Sequence, residues 1–224
     1  MPGKVTKAAA ALLGLGALAY TSWVLEVLVR TGLDPVRTYV SELAAADQPL
    51  GGLFRATDLV AGLLVLAGAL AGLAAGGRRG RWALGGWIAL AVFGAATAVD
   101  SRLPLSCAPT ADPECAARET AGLVPATHTA HAVSSSLAVT GAIAAMVALT
   151  VAARRYGHWR PLARTGPALV VLELAATAWT LAAVAAFEAG KGTWALGAGQ
   201  RLQVLLAAVW LAVLAVSLVR GRPR

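Results

Sequence analysis

Three carboxylic acids stand inside or against long apolar runs of this chain: Glu26, Asp58 and Glu173. Ionisable groups in such surroundings are costly and default to a functional reading. Other groups of the types used in acid–base chemistry gather at the ends of the runs. Asp100 closes one run, and His128, His131 and Ser135 open the next, spaced i, i+3 and i+7. Gln200 and Arg201 open the last run, and Ser41, Glu42 and Arg55 lie in a long loop.

Three chemistries suit these residue types. A serine hydrolase needs a nucleophile, a base and an orienting group, which Ser41, a histidine and Asp58 or Asp100 could supply; no G-x-S-x-G surrounds Ser41. Proton-initiated isoprenoid cyclisation needs a carboxylic acid kept protonated by burial, with aromatic faces nearby. Glu26, Asp58 and Glu173 are its candidates, beside tryptophans such as Trp23 and Trp179. Zinc takes three or four ligands, and His128, His131 and Asp100 would supply three. Each has a plainer counterpart: a protonated Glu bonded between helices, a His–Asp bond tying a loop to the bundle, tryptophans anchored at the membrane interface.

The elements that hold these residues follow from composition. Of 224 residues 58% are hydrophobic and 13% charged, against about 25% charged in soluble domains. The excess sits in six apolar runs, at about residues 8–29, 59–76, 82–99, 131–151, 166–187 and 202–219. Lipid leaves no partner for an unpaired backbone group, so each run should be a helix. The expectation is all-α: a polytopic bundle of six transmembrane helices in a single membrane domain, 1–224. The first run begins like a signal peptide but stays apolar through Val29, which suggests an uncleaved span.

Charge orients the bundle. The N-terminus, residues 77–81, residues 152–165 and the tail after Val219 hold twelve of the nineteen basic residues and none of the eleven acids. By the positive-inside rule these pieces, and both termini, face the cytoplasm across the plasma membrane. The same rule accounts for the net charge of +8 without a nucleic-acid partner. His158 then belongs to a basic cytoplasmic loop. Cys107 and Cys115 fall in an outer loop, where a disulfide persists; their spacing excludes a CxxC site.

The first outer loop, Arg30 to Asp58, carries Asp34-Pro35 as a helix start. Val36, Tyr39, Val40 and Leu43 then recur at helical spacing, which predicts a short amphipathic helix at the outer interface. Gly68, Gly72 and Gly76 form a GxxxGxxxG series suited to close packing within the bundle. Glu173, Thr177 and Thr180 share a face that should look inward, with Glu173 in the inner half of its helix.

The stretch Tyr39-Val40-Ser41-Glu42-Leu43, followed by Pro49, Phe54-Arg55 and Asp58 with Gly62, resembles the domain-of-unknown-function 998 family of small six-span bacterial and archaeal membrane proteins. That family's Asp after the third span, His opening the fourth and Gly-x-x-Glu-Arg opening the last look like Asp100, His131 and Gly197 to Arg201. Gln200 stands where an acid is usual, and the cysteine loop looks like an elaboration. The pattern is similar to membrane hydrolases that use Ser, Asp and His near one membrane face, by analogy.

The expected function is a membrane-embedded enzyme acting on a membrane lipid or prenylated small molecule, by hydrolysis or proton-initiated cyclisation. Ser41, Asp58, Asp100, His131, Glu26 and Glu173 would carry acid–base work. Glu42, Arg55, His128, Gln200 and Arg201 would bind substrate, the arginines holding an anionic head group. No cofactor is expected beyond the zinc option. The alternative is a structural, regulatory or transport-related membrane protein in which these residues brace the first loop.

Overall fold

The computed structural model describes residues 2–76, 80–157 and 159–220. Arg78, Arg79, His158, Arg222 and Arg224, assigned above to cytoplasmic pieces, lie outside the described residues. Among the described residues seven α-helices follow one another: α1 Pro2–Tyr20, α2 Gly51–Gly76, α3 Arg81–Asp100, α4 Pro113–Thr120, α5 Ala126–Arg155, α6 Arg160–Glu188 and α7 Leu196–Arg220. Two 3-10 segments, Ser22–Val27 and Val40–Ala44, separate α1 from α2. All helices but α4 are long and apolar enough to cross a membrane.

The six long helices form a ring. Each packs against the next in chain order, and α7 closes against α1. Small residues permit the approach. A Cβ on Gly62 would meet the Ala98 backbone nitrogen at 2.5 Å, and one on Gly94 would meet the Leu66 nitrogen at 2.4 Å, so α2 and α3 touch backbone to backbone. Gly68 abuts Leu13 of α1 and Gly72 abuts the Trp87 ring of α3. That part of the glycine series works inside the bundle, as expected.

Each helix shows lipid one face and the ring another. On α2, Leu53, Ala56, Val60, Leu63, Ala67 and Leu70 form the exposed stripe. At about 100° per residue, Asp58 lies on the opposite side. On α1, Ala11, Leu15 and Leu18 are exposed, and Tyr20 lies opposite. The half of the ring toward the arginine-bearing ends is filled by Leu13, Trp87, Leu90, Met146, Leu149, Trp159 and Trp210. Trp87 and Trp159 meet edge to face at 6.1 Å. The polar groups collect toward the other end, beneath the long loops.

Three expectations change. The helix predicted after Asp34 is a single turn, with Val36 N–H on Asp34 Oδ1 (2.8 Å), followed by the Val40–Ala44 3-10 segment. Its backbone groups are taken by α7. Ala198 N–H donates to Val36 O, Arg201 to Thr38 O, and Val40 N–H to Gln200 Oε1. A free amphipathic helix would need those groups for itself. The helices also begin earlier than their apolar runs: α2 at Gly51, α5 at Ala126, α6 at Arg160 and α7 at Leu196. Arg55, Asp58, His128 and His131 are therefore helical residues, and Glu173 sits at the middle of α6, thirteen residues after Arg160 and fifteen before Glu188. Finally, α1 ends at Tyr20, and the chain reaches Glu26 as 3-10 helix.

Candidate functional site

The polar layer divides into two sets. One braces the loops. Arg201 pairs with Glu26 through two bonds of 2.6 Å, Nε to Oε1 and Nη2 to Oε2, and its Nη1 donates to Thr38 O (2.8 Å) and Gly197 O (3.2 Å). Both charged side chains are almost fully buried, at 8% and 5% exposure. Four of the five guanidinium N–H groups are thus engaged by the protein itself. Arg55 donates to Ala44 O and Ala45 O, and Gln200 holds Val40 N–H. Glu42 is wholly buried and accepts from Tyr39 N–H, Thr110 N–H and Thr110 Oγ1, which ties the first loop to the cysteine loop. Burial pushes the Glu42 carboxyl above its ordinary range, and those bonds and the Arg201 charge pull it partly back. Burial, with the Glu42 charge adding, pushes the Tyr39 phenol up as well.

His128 also belongs to this set. Its Nδ1 accepts from Ser106 N–H (3.1 Å), and its Nε2 lies 3.4 Å from Glu119 Oε1. Ser106 and Glu119 flank the Cys107–Cys115 disulfide, whose Cα atoms are 6.0 Å apart. Within that loop Asp112 caps α4, accepting from Glu114 N–H, with Pro113 at the first helical position. This short helix went unpredicted, although Asp-Pro is the same start signal read at Asp34.

The second set surrounds Asp100 at the end of α3. Ser134 Oγ donates to Asp100 Oδ1, and Ser135 Oγ donates to Oδ2 at 2.9 Å. His131 Nδ1 lies 3.2 Å from Asp100 Oδ1 and 3.0 Å from Leu103 O. Both neighbours are acceptors, so Nδ1 carries the proton and Nε2 is left as acceptor. Ser135 Oγ stands 3.3 Å from that Nε2. The single Ser135 hydroxyl proton goes to Asp100 Oδ2 in this arrangement; turned to Nε2 it would complete the order nucleophile, base and orienting acid, as Ser135, His131 and Asp100.

Other groups face the same interior. Asp58 is half-buried on the ring side of α2, within electrostatic reach of Asp100, and among the described residues it makes no hydrogen bond or ion pair. Tyr20 meets Phe93 edge to face at 5.3 Å and lies within electrostatic reach of Asp58, Asp100 and Glu173. Glu173 is buried, as expected for its face.

Two proposed groupings do not form. Ser41 is half-buried on its 3-10 turn, and among the described residues no histidine or aspartate bonds to it. His131 meets Asp100 while His128 turns to Ser106 and Glu119, so the three do not converge. Among the described residues no three His, Cys, Asp or Glu side chains are grouped to hold a metal ion. Ser134 was missed; its signal was its position on the helical turn after His131.

A family model described as "Protein of unknown function (DUF998)" matches residues 7–217. The chain belongs to the DUF998 family. The match runs through all six long helices, and so takes in both the bracing set and the Asp100 set of this DUF998 chain. No curated protein and no solved structure matches it.

Proposed function

We propose that this DUF998 chain is a membrane-embedded hydrolase acting on a membrane lipid or prenylated small molecule at the loop end of its helix ring. The observation that carries the reading is the Ser135–His131–Asp100 network. His131 Nε2 would take the Ser135 proton as Oγ attacks an ester or amide carbonyl and return it to the leaving group; a water, deprotonated by the same Nε2, would then cleave the acyl-serine and release the acid, with Asp100 stabilising the imidazolium each time. Apolar substrate would enter from the bilayer, since the loops above are braced shut by Glu26, Arg201, Gln200 and Glu42. The loop end would face outward, with the termini cytoplasmic, in the plasma membrane.

The test is untargeted mass spectrometry of lipid extracts incubated with purified protein. Wild type should consume a lipid class and release its hydrolysis products. Asp100→Asn, His131→Ala and Ser135→Ala should lose this while folding normally, and Ser41→Ala should keep it. Unchanged extracts, or turnover indifferent to all three, would favour the structural reading of the same residues. A second chemical reading draws on Asp58, an unbonded carboxyl near the Tyr20–Phe93 aromatic pair: proton-initiated cyclisation. It predicts dependence on Asp58 and tolerance of Ser135→Ala. For orientation, a membrane-impermeant maleimide applied outside should label Leu123→Cys and not Arg155→Cys; the reverse would invert the topology.

A further inference from the structure

The middle of the membrane holds a polar site that the rim chemistry does not use. The ring-facing stripe of α6 carries Glu173, Thr177 and Thr180 among Ala176 and Ala183. Gln203 of α7 donates to Thr177 Oγ1 (2.8 Å). Two atoms of this stripe are left over. Glu173 Oε2 and Thr180 Oγ1 are buried with no hydrogen-bond partner, on side chains only 2% and 7% exposed. Leaving such atoms unmet carries their full desolvation cost, so they mark a place where a partner belongs.

Charge narrows the partner. The ion pairs among the described residues are Arg37–Asp34 and Arg201–Glu26, and two histidines lie beside acids, His128 by Glu119 and His131 by Asp100. None involves Glu173 or Asp58. Glu173 and Asp58 nevertheless share one interior, because Tyr20 of α1 is within electrostatic reach of both, and α1 and α6 are not ring neighbours. The interior therefore carries an excess of carboxyl groups, aromatic faces at Tyr20 and Phe93, and apolar walls. A buried carboxyl either keeps its proton or pairs with a counter-charge, and a cation is further stabilised over aromatic rings.

We propose that the Glu173 site binds the positively charged group of a lipophilic amine or ammonium compound. Glu173 Oε2 is the counter-charge, and Thr180, about 10 Å nearer the rim by helical rise, lines the approach. This rests on the hydrolase reading, with its apolar substrate entering from the bilayer, and it makes that substrate an amine-bearing lipophile.

The test is equilibrium binding of tritiated decyltrimethylammonium to the protein in nanodiscs, with empty nanodiscs subtracted. Wild type should bind saturably, decylamine should compete, and decanol should not. Glu173→Gln should weaken binding at least tenfold, and Glu173→Asp should restore part of it. Absence of saturable binding, equal competition by decanol, or unchanged binding to well-folded Glu173→Gln would overturn the proposal. Should Glu173→Gln fail to fold, Glu173→Asp and the wild-type ammonium-against-alcohol comparison decide it. Binding without lipid turnover would keep this inference and sink the hydrolase; turnover without binding would do the reverse.

Discussion

Replacing Arg201 with Ala should be among the most damaging single changes to this fold. The guanidinium makes two 2.6 Å bonds to Glu26 and two more to the carbonyls of Thr38 and Gly197, joining the extension of α1, the first loop and α7. Removal strands a carboxylate that is 5% exposed. Breaking one side of such a pair costs about 3–5 kcal/mol, a large part of a total stability of about 5–15 kcal/mol. The stranded carbonyls belong to the same unit, so their loss is not added separately. Arg201→Met combined with Glu26→Leu removes both charges together and should recover at least half of the loss. Tryptophan-fluorescence unfolding of the four-member cycle in nanodiscs measures the coupling, expected at about 2 kcal/mol or more, in the upper part of the usual range for contacting residues. An Arg201→Ala cost below about 1 kcal/mol, the range of exposed pairs, or a coupling near zero, would refute the buried-brace reasoning.

Other outcomes follow from the same geometry. Gly94→Ala should lower the unfolding midpoint, because its Cβ would fall 2.4 Å from the Leu66 backbone nitrogen, a cost of about 1–3 kcal/mol. Gly85→Ala, with nothing within 4 Å, should not; equal effects would contradict the packing described. Reducing Cys107–Cys115 should cost about 2.5 kcal/mol by loop entropy, and hydrogen exchange should rise in residues 36–46 through the Thr110–Glu42 contact. Exchange confined to residues 105–120 would show that the loops are not coupled. Glu42 has a folded-state pKa above its ordinary value of 4.5, so the folded state binds its proton more readily than the unfolded state. Stability from this group is full below that value and is lost as pH rises through the folded pKa. Wild type should therefore lose melting temperature relative to Glu42→Gln as pH rises above the ordinary value of 4.5; a gain would reverse the sign.

The helices were legible in the sequence because lipid enforces them: an apolar run near thirty ångströms long has few other conformations. Their ends were less legible. Residues 51–58 and 126–130 are helical although Arg55, Asp58 and His128 interrupt their apolar character, so hydropathy stops short of these helix ends. The first loop misled because spacing cannot reveal that α7 would take the backbone groups of Val36, Thr38 and Val40. Hydropathy gave the polar residues a depth but no direction around the ring. It therefore could not separate Arg201, which braces, from Asp100, which faces His131 and the serines. Ser41 and Ser135 are alike as residue types. What distinguishes them is that Ser135 lies one helical turn beyond His131, a relation read only once α5 is known to begin at Ala126.

The central claim is that Ser135, activated by His131 and Asp100, is a nucleophile. Covalent capture tests it directly. A fluorophosphonate bearing a long alkyl chain should phosphonylate Ser135 with loss of fluoride, and peptide mass spectrometry should find the adduct there. His131→Ala and Asp100→Asn should suppress it, while Ser41→Ala should not. An adduct on Ser41, or no adduct on the folded protein, would contradict the account.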